Sequence, residues 1–135
     1  MAAKRILAVE NNDLVLSFLE AGLMTAGYDV DTASNGREAL DKLDRAAYDL
    51  IISDVRMPEL DGPGLCRALA ERRSNAFTRF IFLTTPDCSD IHHAFLARTG
   101  VRALTKPFAL SDLHSVVEEM IGSTDRPECA AAEVP

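Results

Sequence analysis

Five polar residues in this chain stand where they could do chemistry together. Glu10 and Asn11 follow the apolar run Ile6-Leu7-Ala8-Val9. Asp54 follows Leu50-Ile51-Ile52-Ser53, Thr84 follows Phe80-Ile81-Phe82-Leu83, and Lys106 follows Val101-Arg102-Ala103-Leu104-Thr105. Each run reads as a buried strand of a parallel sheet, and in open α/β sheets ligands bind outside the carboxyl ends of the strands. Two carboxylates, an amide, a hydroxyl and an ammonium should therefore converge on one pocket. That set suits a divalent cation held beside a phosphoryl group.

The elements that must position these residues alternate strand and helix five times. Asp13 to Ala26 is predicted helical, with Leu16, Leu19, Leu23 and Ala26 on one apolar face and Gly27 as the C-cap. Tyr28 to Ala33 alternates apolar and polar, as an edge strand would. Further helices are expected from Arg37 to about Ala47, Pro63 to Arg73, Ser89 to Thr99 and Leu110 to Ile121. In the first of these, Leu40, Leu43 and Ala47 should point inward. Alternation of this kind implies a parallel sheet with right-handed crossovers. Five βα units suit a flavodoxin-like (βα)5 doubly wound sandwich with strand order 2-1-3-4-5. One domain over residues 1–121 and a flexible tail over 122–135 are expected, because the tail has no periodic apolar pattern.

Composition narrows the function. The 135 residues carry a formal net charge of −7, which argues against nucleic acid or an anionic membrane as the partner. Three scattered cysteines, Cys66, Cys88 and Cys129, make no disulfide framework and favour a reducing cytoplasm. No apolar stretch approaches the ~20 residues of a membrane span. The run after Met1 to Arg5 is too short for a signal-peptide core. No glycine-rich phosphate loop follows the first strand and no nucleophile elbow is present, which disfavours an independent enzyme. Cys88, His92 and His93 are too few for a zinc site. Glu10 and Asn11 also suit a loop and a helix cap, since Asn is a good N-cap.

Taken together, four segments resemble the receiver domain of bacterial two-component response regulators. They are Ile6 to Asn11, Ile52 to Gly62 (Ile-Ser-Asp-Val-Arg-Met-Pro-Glu-Leu-Asp-Gly), Leu83-Thr84-Thr85 and Thr105-Lys106-Pro107-Phe108. The spacings agree as well, with 30 residues from Asp54 to Thr84 and 22 from Thr84 to Lys106. The resemblance implies that Asp54 is the phosphoacceptor, attacking a phosphohistidine on a histidine kinase or histidine phosphotransfer protein. It implies Mg²⁺ as cofactor, held by Asp54, the side chain of Asn11 and the backbone carbonyl of Arg56, with Glu10 acting mainly through a metal-bound water. Lys106 would pair with the phosphoryl oxygens, Thr84 would hydrogen-bond the phosphoryl group, and the Lys106-Pro107 bond would be cis. The output would be a contact with a downstream protein.

Three positions depart from the family pattern. Asn11 stands where the family has a second acid, so Mg²⁺ binding should be weak. Ala103 stands where the family often has an aromatic ring that moves with the threonine, so any switch must use another route, such as the loop Thr85 to Cys88. Thr85-Pro86 replaces a small residue and removes a backbone donor. A receiver-like interaction module that works without phosphate is the alternative these departures keep open.

Overall fold

The computed structural model describes residues 4–55, 60–71, 80–85, 94, 98 and 101–122. Five parallel strands, β1 (Arg5–Val9), β2 (Asp29–Ala33), β3 (Leu50–Asp54), β4 (Phe80–Thr84) and β5 (Arg102–Thr105), form one sheet in the order β2-β1-β3-β4-β5. Helices α1 (Asp13–Thr25), α2 (Gly36–Arg45) and α3 (Gly62–Ala70) follow the first three strands, and a last helix spans Leu110–Ile121. This is the expected flavodoxin-like sandwich. Of the helix expected over 89–99, Ala94 and Arg98 are described and both are helical. Arg56, Pro86, Cys88, His92, His93 and the predicted tail beyond Gly122 lie outside the described residues.

Strand side chains alternate between faces with period two, and the core divides accordingly. Leu7, Val9, Ile51, Phe80 and Phe82 pack with Ala39 and Leu43 of α2 and Leu65, Cys66 and Leu69 of α3. Ile6, Ala8, Leu50, Ile52, Ile81 and Leu83 pack with Leu19 and Leu23 of α1 and Leu113 and Val117 of the last helix. The three central strands are covered on both faces, which is why they read as nearly unbroken apolar runs up to their polar C-terminal ends. Full burial of each such aliphatic side chain stabilises the fold by about 1.5–3 kcal/mol.

Two expectations are corrected. β5 is not buried: Arg102, Ala103 and Thr105 are exposed and only Leu104 is half-buried. An outermost strand has one neighbour, here β4 alone, so an apolar run does not guarantee burial there. Likewise Ala47 is exposed beyond the end of α2, and Ala39 takes the inward place one turn before Leu43.

Candidate active site

The alternation that builds the core also aims the site. Ile6, Ala8 and Glu10 form one row, and Leu50, Ile52 and Asp54 form a second. Both rows lie on the face covered by α1 and the last helix, where Leu104 also packs. Lys106 continues the row of Leu104. The three strand ends therefore deliver their polar residues to the same side. The Lys106 ammonium donates to Glu10 Oε1 at 2.8 Å and to Asp54 Oδ2 at 3.3 Å. The other Glu10 oxygen accepts the Asn12 N–H at 3.0 Å. Asn12, not Asn11, is the N-cap of α1, its side-chain oxygen accepting from Leu14 N and Val15 N at 3.0 and 3.1 Å. One short segment thus joins the site to the start of α1.

Thr84 is placed by register. Asp54 pairs with Leu83, and the next residue on β4 is Thr84. The Thr84 carbonyl accepts the Lys106 N–H at 2.7 Å, which ties the lysine's backbone to the strand beside Asp54. Thr84 is buried. The Lys106-Pro107 bond is cis, as expected. Asn11 follows Glu10 and is exposed.

Electrostatics set this cluster apart. Glu10 is 1% exposed and Asp54 9%. Burial, then the neighbouring Glu10 charge, pushes the Asp54 carboxyl up to about 6, against the opposing pull of Lys106. Burial works against the Lys106 ammonium, but its hydrogen bond to Glu10 and the charge of Asp54 outweigh that and raise its pKa overall. With both acids ionised the cluster holds two negative charges and one positive. An added cation would relieve that excess, and hard carboxylate oxygens are donors Mg²⁺ accepts. Among the described residues no group of three His, Cys, Asp or Glu could hold a metal.

A neighbouring feature escaped the sequence reading. Leu14 is 83% exposed and Phe18 42%. With Val15, Pro107 and Phe108 they line an open apolar groove of about 580 Å³ that also touches Thr85 and Lys106. The signal was present in the sequence. Leu14 and Phe18 are four residues apart and off the Leu16-Leu19-Leu23 stripe, which makes a second apolar flank on α1.

Comparison with known proteins agrees with this fold. The response regulator receiver domain family matches residues 6–118. The alkaline phosphatase synthesis transcriptional regulatory protein PhoP of Bacillus subtilis is 33% identical over 118 residues, 87% of this chain and 48% of that protein. The response regulator receiver protein CpdR of Brucella abortus is 32% identical over 87% of this chain and 97% of its own length. The chain spans about half the length of the transcriptional regulators it matches. Among solved structures, the Vibrio cholerae chemotaxis protein CheY4 aligns with TM-score 0.78 and 32% identity, covering 88% of this chain and 99% of that one. The receiver domain of the Pseudomonas aeruginosa sensor histidine kinase PA1611, solved with magnesium in its active site cleft, aligns with TM-score 0.79 and 30% identity, covering 90% and 100%. This chain belongs to the response regulator receiver domain family, the phosphoacceptor modules of two-component signalling.

Proposed function

We propose that Asp54 is the phosphoacceptor of this receiver, with Lys106, Thr84 and a Mg²⁺ ion supporting the transfer. The observation that carries the reading is the cluster in which the half-buried Lys106 ammonium bridges the buried Glu10 and Asp54 carboxylates. In the transfer, an Asp54 carboxylate oxygen attacks phosphorus, the O–P bond forms, and the N–P bond of a donor phosphohistidine breaks with the electron pair leaving on the imidazole nitrogen. The protein's part is positioning and charge neutralisation. Lys106 already sits 3.3 Å from the nucleophile, so it can follow the negative charge onto the phosphoryl oxygens. Thr84, one register step away, supplies a hydroxyl at the neighbouring strand end.

Asp54, Asn11 and the Arg56 carbonyl would hold Mg²⁺, with Glu10 beside it. When bound, the ion neutralises charge on the transferred group. The magnesium in the PA1611 receiver's cleft supports this assignment, and Asn11 makes the site a weak one. The domain catalyses at most its own phosphorylation and dephosphorylation and otherwise acts through protein contacts. The apolar groove of Leu14, Phe18, Pro107 and Phe108 reaches Lys106 and is the face on which the phosphohistidine protein docks. The scattered cysteines favour a reducing cytoplasm, and no helix among the described residues is long and apolar enough to cross a membrane. Incubation with Mg²⁺ and acetyl phosphate, followed by intact mass measurement, tests the reading. Wild type should gain one phosphoryl group and Asp54→Asn none. A wild type that gains nothing from acetyl phosphate or from a range of kinases would favour the phosphate-independent module.

A further inference from the structure

The groove beside Lys106 has the make-up of a small-molecule site as well as of a protein contact. Leu14, Val15 and Phe18 of α1 supply one wall, and Pro107 and Phe108 supply the other. The Phe18 and Phe108 rings meet with their centroids 5.9 Å apart and join the two walls. The volume of about 580 Å³ is that of an ordinary ligand pocket. Such pockets are mostly apolar, with a few polar groups that fix the ligand's orientation. Here the polar lining residues are Thr85 and Lys106.

Lys106 joins the groove to the chemistry. Its side chain lines the groove, and its ammonium lies 3.3 Å from Asp54 Oδ2. A lysine of this kind lays its stem along apolar surface and carries its charge at the tip. A ligand whose anionic head meets that ammonium therefore brings the head to Asp54 and leaves its body to the groove. The head must be a group that Asp54 can attack, and the body must be apolar. An acyl phosphate with an alkyl chain has both parts.

We propose that this receiver selects among small acyl phosphates as direct phosphodonors, favouring those whose acyl chain is long enough to lie against Leu14, Phe18 and Phe108. This rests on the function proposed above, in which Asp54 accepts the phosphoryl group. In the step, an Asp54 carboxylate oxygen attacks phosphorus and forms the new O–P bond. The bridging O–P bond of the donor breaks, and its electron pair leaves on the acyl carboxylate. The products are the Asp54 acyl phosphate and a free carboxylate anion, with no redox change and no net proton transfer. The methyl of acetyl phosphate is too short to cover the groove. Each added methylene that is partly covered should raise the rate roughly twofold.

The test compares acetyl, butyryl and hexanoyl phosphate, whose leaving carboxylates have nearly equal basicity. Second-order rates of phosphorylation are read by intact mass in Mg²⁺ buffer. Hexanoyl phosphate should exceed acetyl phosphate on the order of tenfold. In Leu14→Ala combined with Phe18→Ala the series should flatten, hexanoyl falling to within about twofold of acetyl. Hexylphosphonate, which cannot transfer its phosphoryl group, should shift the amide signals of Val15, Phe18 and Phe108 in wild type. Equal rates along the series in wild type would overturn the inference and leave the groove to a protein partner alone. A climb that survives the double variant, or hexylphosphonate shifts confined to other residues, would overturn it as well. A wild type phosphorylated by none of the three donors overturns the reading of Asp54, and this inference with it.

Discussion

At the scale of single residues, the site stores a conflict that pH can expose. The Asp54 carboxyl titrates near 6 in the fold instead of near 3.8, because burial and Glu10 disfavour its charge. A group raised in this way contributes stability fully below its unfolded value and loses it as pH rises through its folded value. The window here is about pH 4 to pH 6. In metal-free buffer, Asp54→Asn should therefore stabilise the protein by about 1–3 kcal/mol at pH 7.5 relative to its effect at pH 4. Urea unfolding at both pH values checks this, and an equal effect at each would contradict the assigned cause. Asn11 is the other informative residue. Asn11→Asp should restore a charge and tighten Mg²⁺ binding, a gain of about 1–3 kcal/mol after desolvation is counted. An unchanged titration would mean Asn11 is not a ligand. Glu10, Asp54 and Lys106 were legible in the sequence because strand periodicity alone sends them to one place. The Asn12 cap was not, since Asn11 and Asn12 are equally good capping residues and one residue of helix phase is beyond what an apolar pattern resolves.

Elements explain both the successes and the misses of sequence reading. β1, β3 and β4 were plain because both faces are covered and most positions are apolar. β5 shows the same kind of run, yet its side chains are largely exposed, because edge position is a property of the sheet and not of the strand. Ala103 lies on that exposed strand, so it offers no buried ring for a threonine-linked switch. Helix α1 carries two apolar faces, one buried through Leu19 and Leu23 and one open through Leu14 and Phe18. An exposed apolar pair beside the site lysine has the character of a contact surface. Leu14→Ala combined with Phe18→Ala should slow phosphotransfer from a histidine-phosphorylated protein on the order of tenfold, as loss of central interface anchors does. The rate with acetyl phosphate, which needs no such surface, should stay within about twofold. Equal slowing with both donors would move the effect from docking to the site itself.

For the whole molecule, the sheet order follows from the βα alternation and the family resemblance from the four motif segments, and comparison with known receivers agrees with both. What the alternation could not convey is how the two faces differ. One face, built on α2 and α3, carries Gly36 and Leu60. The other, built on α1 and the last helix, carries the acids, the lysine and the apolar groove. Phosphoryl chemistry would sit where these meet, at the C-terminal end of the sheet. The central claim is that Asp54, among the many acids of this chain, is the one that forms the acyl phosphate. The most direct measurement is to phosphorylate wild type with acetyl phosphate and Mg²⁺, trap the acyl phosphate by borohydride reduction, and map the modified peptide by mass spectrometry. The account predicts modification at Asp54 alone, absent from Asp54→Asn and strongly reduced in Lys106→Ala. Modification at Glu10, Asp13 or Asp61 with Asp54 untouched would contradict it.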